Sequence, residues 1–290
     1  MTSEWDVRTR LVWADEADEE GAPLNTPLVL STTFRAHPEG VGFSAVDMGE
    51  QSPFFYARWS TPTVRTLERR LADLEGGEDA PIGLQPLALG ADFVLHSLTK
   101  YIGGHGDVLG GVVVGGRAEL AALRQDSLIH LGAVLNPFPA WLLLRSLATL
   151  PQRMAAHAAT AREVATFLEN HPRVHHVLYP GLDSHPQAAL ARRQLRNTSG
   201  MIAFQAEDAL AVARRLAERL KIVHYAVSLG KPHSLVFYLP TDELQRTSFQ
   251  LSPELLARYR AWAGDGVFRL SIGLDAPADI IRDLEQALAP

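Results

Sequence analysis

A chain of 290 residues, 47% hydrophobic and 21% charged, has the composition of a folded protein with one large domain or two ordinary ones. Its net charge of −6 lacks the concentrated positive footprint of a nucleic-acid binder, and with no cysteine it can hold neither disulfides nor thiolate metal sites. The opening MTSEWDVRTR has no apolar signal core, and no stretch approaches the ~18 unbroken apolar residues of a membrane helix, so a cytoplasmic protein is expected.

Residues 1 to about 50 read as irregular, with an acidic run from Asp15 to Glu20 and then Pro23, Pro27 and Ser31-Thr32-Thr33-Phe34, the pattern of an extended arm. Val64, Leu67, Leu71 and Leu74 recur at helix spacing, and Gly76-Gly77 stops that helix. Short strands are expected at Phe93–His96 and Gly110–Val114, and a helix from about Glu119. A helical stretch runs from about Pro139 to Asn170 and is bent or split by Pro151. Beyond His171-Pro172, strands are expected at Val174–Tyr179, Met201–Gln205, Leu235–Leu239 and Val267–Ile272. Helices fall near 207–220, 253–262 and 276–289, the last with Asp275 as its N-cap. The expected division is an arm over 1–62, a first domain over 63–151 and an α/β domain over 152–290.

The window His96-Ser97-Leu98-Thr99-Lys100-Tyr101-Ile102-Gly103-Gly104-His105-Gly106-Asp107 carries the chemistry. A strand ends in two hydroxyls and a lysine, then opens into glycines. Hydroxyl and backbone N–H donors at a strand end suit a phosphate, and a nearby amine suits an aldehyde. The same residues also suit a surface lysine in a Gly-rich turn. The glycines follow the lysine, which excludes a P-loop, and their spacing excludes a dinucleotide fingerprint. His105 and Asp107 have no third ligand at regular spacing, so no metal site is expected.

This window resembles the lysine segment of the Cys/Met-metabolism enzymes that use pyridoxal 5'-phosphate (PLP): cystathionine γ-synthase, cystathionine γ-lyase and methionine γ-lyase. The resemblance implies that Lys100 carries PLP and moves protons, with Ser97 and Thr99 holding the phosphate. Tyr56-Ala57-Arg58-Trp59-Ser60-Thr61-Pro62-Thr63 resembles the family segment whose tyrosine and arginine reach the neighbouring subunit's phosphate. Thr61 stands where an asparagine is usual. Leu144–Leu150 resembles the long interdomain helix, and Tyr179-Pro180-Gly181-Leu182 the start of the C-terminal domain. Arg269-Leu270-Ser271-Ile272-Gly273 and Ser228-Leu229-Gly230 resemble the substrate segments, in which Arg269 grips the carboxylate and Ser228 assists. Apolar Val227 leans toward the methionine γ-lyase pattern, while the stretch from Lys231 to Pro240 departs from the common one.

The resemblance has a hole. Between about Ala80 and Pro81 the family has a small domain's length of chain, which carries a phosphate loop, the ring stacked on PLP and the aspartate paired with its nitrogen. No aspartate here matches that position. The implied fold is α/β, aspartate aminotransferase-like (fold type I), with a truncated parallel-sheet domain and a smaller C-terminal α/β domain. The implied activity is elimination or replacement at the β or γ carbon of a sulfur amino acid, in methionine and cysteine metabolism, by a homodimer or homotetramer. The alternative is a non-catalytic truncated member acting through subunit contacts. No nucleic-acid or membrane partner is expected.

Overall fold

Leu11 of helix α1 (Val7–Trp13) and Val64, Leu67, Leu71 and Leu74 of helix α2 (Pro62–Gly76) are all buried, as an apolar stripe at helix spacing requires. The computed structural model describes residues 6–13, 23–35, 53–76 and 83–290. The acidic run and the Ala80–Pro81 junction lie outside the described residues. Helix α1 corrects the reading of an irregular N-terminal region: Asp6 accepts hydrogen bonds from the Arg8 backbone and side chain at its start, and Arg70 Nη1 donates to the Leu11 carbonyl at 2.9 Å.

The chain forms two units, 1–103 with 107–151, and 104–106 with 152–290. In the first, the extended segment 23–35 pairs with 55–57 through Phe34 N–H to the Phe55 carbonyl and Ala57 N–H to the Thr32 carbonyl, and side chains tie down its start. Thr63 Oγ1 donates to the Pro27 carbonyl (2.9 Å) and accepts from Val29 N–H (3.0 Å), and Trp141 Nε1 donates to the Thr26 carbonyl (3.1 Å). Strands β1 (Phe93–Ser97) and β2 (Gly111–Gly115) form an antiparallel ribbon. Its inner face carries Val94 opposite Val114; its outer face carries Phe93, and Leu95 opposite Val113. Leu95 is 74% exposed. Helix α3 (Arg117–Leu123) runs into a wide turn, Arg124–His130. Helix α4 (Pro137–Leu147) follows, and the Asn136 side chain caps it by accepting from Phe138 N–H.

Helix α5 (Leu150–Glu169) carries Pro151 in its first turn, where a missing N–H costs nothing, so the expected interruption becomes a helix start. The second unit holds a five-stranded sheet in the order β3-β4-β7-β6-β5. The strands are β3 (Val174–Leu178), β4 (Met201–Ala206), β5 (His224–Tyr225), β6 (Leu235–Pro240) and β7 (Gly266–Ser271). All pairings are antiparallel except β5 with β6. Helices α6 (Ala188–Gln194), α7 (Ala209–Arg219), α8 (Thr241–Gln245) and α9 (Pro253–Ala263) lie between them in the chain, and α10 (Pro277–Leu288) follows β7.

One face of this sheet buries Phe204, Phe268, Leu270, Ile272, Val236 and Tyr238 in a single core with apolar residues of α5, α7 and α10. The Phe204 and Phe268 rings stack at 4.9 Å between centroids, and Tyr238 lies 4.8 Å from Phe268. Among the described residues no helix is long and apolar enough to cross a membrane.

Asp275 does not cap α10. Its Oδ2 accepts from the Ser234 N–H and hydroxyl, both at 2.8 Å, and Ala276 holds the N-cap position with no side-chain bond. The carboxylate that organises this end of the unit is Asp283, buried in α10, which accepts from the backbone N–H groups of Lys221, Ile222 and Val223. Burial alone would raise its pKa, but these three bonds outweigh it and hold the pKa below the usual value. A depressed carboxylate contributes stability that is present above its unfolded pKa and lost as pH falls through the folded one. Asp283→Ala is therefore expected to cost about 2–3 kcal/mol in denaturant unfolding near neutral pH. The variant's stability should also decline less than the parent's between about pH 4 and acid unfolding.

Candidate active site

Strand β1 delivers the lysine window into a tight closed turn. Leu98 N–H donates to the Gly110 carbonyl (2.9 Å) and Gly103 N–H to the Leu98 carbonyl (2.8 Å). The Thr99 hydroxyl accepts from Gly110 N–H at 3.1 Å and lies 3.4 Å from the Gly110 carbonyl. Both ends of the loop are thus fastened, and helical conformation breaks at Lys100 (φ −91°, ψ −133°) in the wide turn Leu98–Ile102. Leu98 and Ile102 are buried and Lys100 is half-buried, so the turn is anchored by its apolar members with the amine between them. The Ser146 hydroxyl of α4 donates to the Gly103 carbonyl at 2.5 Å and fixes the exit.

Ser97 is on the exposed outer face of the ribbon, opposite Gly111. Thr99 is half-buried, with its hydroxyl already engaged to Gly110. The sequence expectation that both meet one phosphate therefore rests on two differently placed hydroxyls. Just ahead of them, His96 Nε2 lies 2.5 Å from Oε1 of Glu75, whose side chain is 2% exposed. The other carboxylate oxygen, Oε2, is buried with no hydrogen-bond partner among the described residues.

Tyr56 and Arg58 share one turn. The Arg58 guanidinium carbon lies 5.4 Å from the centre of the Tyr56 ring, a cation–π contact, and Trp59 meets the same ring edge-on at 5.7 Å. Tyr56 bridges to Thr33 of the extended arm. Arg124 Nη2 donates to the Trp59 carbonyl at 3.1 Å. The structure thus binds this turn to the arm and to the wide turn beginning at Arg124. Arg58 itself is exposed.

In the second unit, Arg269 stands on β7 with Ala203 and Phe237 as its neighbours on β4 and β6. Its side chain belongs to the sheet face opposite Phe268 and Leu270, as strand alternation requires. Ser271, two residues on, projects from the same face and accepts from Gly230 N–H at 3.2 Å. The Ser228–Gly230 loop is thereby attached to the face that carries Arg269. Ser228 has φ +93° and Gly230 φ +74°. Gly273 closes the motif because the backbone of 232–234 crosses it: a Cβ there would lie 2.2 Å from the Pro232 carbonyl oxygen. Among the described residues no group of three or more His, Asp or Glu side chains could hold a metal ion.

A buried pair on α5 was not singled out from the sequence. His157 Nδ1 lies 2.9 Å from the Ile272 carbonyl and 3.0 Å from that of Gly273, so Nδ1 carries the proton and donates. Burial pushes its pKa down, and the two carbonyl bonds only partly oppose this. One turn earlier, burial pushes Arg153 down to about 10, and its guanidinium covers Gly104 so closely that a Cβ there would lie 1.9 Å from Nη1. A lone histidine in a helix carries no local signal of such a contact.

The model of the Cys/Met metabolism PLP-dependent enzyme family matches residues 79–289. The chain belongs to that family. It is 41% identical over 201 residues to canavanine gamma-lyase of Pseudomonas canavaninivorans, covering 69% of this chain and 48% of that one. It is 42% identical over 205 residues to L-methionine gamma-lyase of Pseudomonas putida, covering 70% and 50%. The chain spans about half the length of these curated relatives. Its fold matches a solved cystathionine gamma synthase of Xanthomonas oryzae pv. oryzae with a TM-score of 0.80 and 27% identity, covering 98% of each chain. The architecture is therefore that of the fold type I PLP enzymes, and residues 93–115 keep only a two-stranded ribbon.

The residue types present fit PLP at its two ends: the amine of Lys100 for the aldehyde, and for the phosphate the hydroxyl of Thr99, already engaged by Gly110, and that of Ser97, on the outer face of the ribbon. No residue is matched to the ring nitrogen. Ser228 offers a direct test of the substrate loop. A non-glycine residue at φ +93° is strained, and glycine relieves that strain. Ser228→Gly is expected to raise unfolding stability by up to about 1 kcal/mol while weakening amino-acid binding, read by chemical denaturation and titration calorimetry.

Proposed function

We propose that this chain binds PLP through Lys100 and acts at the β or γ carbon of an amino acid, with sulfur amino acids as the substrate class. The observation that carries the proposal is the Lys100 turn: a half-buried amine at the break of a loop whose two ends are bonded together. The lyase names of the relatives support elimination as the reaction class.

Bound PLP supplies an electron sink that stabilises negative charge at the substrate α carbon. The chain's own residues do the rest. Lys100 would hold the cofactor's aldehyde through Nζ, and the same Nζ would serve as the base that takes and returns protons at the substrate. Thr99 and Ser97 hold the phosphate, joined by Tyr56 and Arg58 from a second subunit, whose phenol and guanidinium suit a dianion. Arg269 pairs with the α-carboxylate in a forked geometry, and Ser228 assists, so the amino acid is held in one orientation. In this reading residues 63–151 are the cofactor domain, 1–62 the arm that reaches the neighbour and 152–290 the substrate-clamping domain. The working form is a cytoplasmic homodimer or homotetramer.

A second reading is a non-catalytic member that keeps the arm and the C-terminal domain as interaction surfaces. The two-stranded ribbon and the unmatched ring nitrogen favour it. One experiment separates the two. Full-length protein mixed with PLP is expected to show the visible absorbance band of lysine-bound PLP after excess cofactor is removed, and Lys100→Ala is expected to lose it. A parent with no retained band would replace the enzymatic reading with the second one.

A further inference from the structure

We infer that His157 is a positioning residue that sets the geometry of the substrate-carboxylate clamp by holding the backbone just beyond Arg269. The inference rests on the reading of Arg269 as the carboxylate-binding residue. Strand β7 ends at Ser271, so its ladder no longer supports the Ile272 and Gly273 carbonyls. His157 reaches both from α5 with one N–H, at 2.9 and 3.0 Å, and is fully buried there. A buried imidazole in van der Waals contact on all sides has little rotamer freedom, so it fixes the two peptide planes it touches.

The consequence reaches Arg269 through a connected set of bonds. Gly273 N–H donates to the Ser234 hydroxyl at 2.9 Å, and that hydroxyl donates to Asp275. Ile272 N–H donates to the Gly200 carbonyl at 2.8 Å. His157 therefore adds bonds to the carbonyls of the two residues of this turn whose N–H groups are held from other segments. Ser271, which holds the Ser228–Gly230 loop, is the residue immediately before it. Turn, loop and arginine share one short piece of backbone, so a shift at Ile272 moves the guanidinium and Ser228 relative to each other.

Arg153 adds a parallel contact. One helical turn before His157, it covers Gly104, four residues beyond Lys100 in the chain. The same face of α5 thus touches both the segment that follows the lysine and the segment that follows the arginine.

The test uses the full-length chain with three substitutions. In His157→Asn the amide nitrogen can replace Nδ1; in His157→Gln the donor sits nearer the Nε2 position; in His157→Leu there is none. In the PLP-loaded protein, His157→Leu and His157→Gln are expected to weaken binding of a plain amino acid about tenfold. Affinity for the matching amine without a carboxylate should be unchanged, and His157→Asn should retain near-parental values. In the cofactor-free protein, the ring nitrogen shifts of His157 should show the proton on Nδ1. Equal loss of amine and amino-acid binding would reduce His157 to a structural residue and overturn the inference, as would parental binding in both His157→Leu and His157→Gln. Arg269→Leu serves as the reference. If it abolishes carboxylate selectivity and the His157 variants do not, only the positioning role falls. If it leaves selectivity intact, the clamp reading falls and the positioning role with it.

Discussion

Strand β7 is the constraint on which the second unit depends. It is paired along its length with β4 on one side and β6 on the other, so its register is fixed twice. A one-residue slip would move Phe268 and Leu270 out of the core and Arg269 into it, exchanging buried apolar area for a buried unpaired guanidinium. The alternation Phe268, Arg269, Leu270, Ser271 therefore places the core residues and Arg269 on opposite faces of one strand. The stacked Phe204 and Phe268 rings fix the core side, and the position of Arg269 follows from their packing.

The first unit achieves order at its key residue by different means. The Lys100 turn is short and closed by hydrogen bonds, and the Thr99 hydroxyl serves Gly110 instead of standing free. A hydroxyl already engaged by backbone is pre-oriented, which lowers the entropic cost of a further acceptor or donor contact. Its second lone pair remains able to accept. The fixed Gly103 exit and the buried Leu98 and Ile102 leave the lysine as the member of this turn with reach.

Much of this was legible in the sequence because it is local or periodic. Helix α2 declared itself through Val64, Leu67, Leu71 and Leu74, and β4, β6 and β7 as short apolar segments between helical stretches. The lysine window stood out through its resemblance to the family's lysine segment, since its hydroxyls, amine and glycines alone also suit a surface turn. What stayed hidden was short or non-local. Helices α1 and α6 have seven residues each and no sustained period, and β5 has two. Asp275 has the chemistry of an N-cap, yet Ser234, 41 residues earlier, claims it. His157 bonds to carbonyls 115 and 116 residues away, a separation no local pattern encodes.

The two units also differ in how completely they satisfy their own surfaces. The second closes a core of aromatic and branched side chains between its sheet and three helices. The first leaves Phe93, Leu95 and Val113 on one face of a two-stranded ribbon, with Leu109 79% exposed at the loop before β2. Two strands alone bury too little to be stable in water, and this ribbon keeps its inner face through buried Val94 and Val114 and the His96 contact to Glu75. The lysine turn grows directly out of β1, so its rigidity depends on how firmly that ribbon is held. The hydrogen bonds between the loop ends become more important for that reason: Leu98 to Gly110 and Thr99 to Gly110 continue the β1–β2 pairing past the last strand residue. They extend a marginal ribbon up to the Lys100 turn.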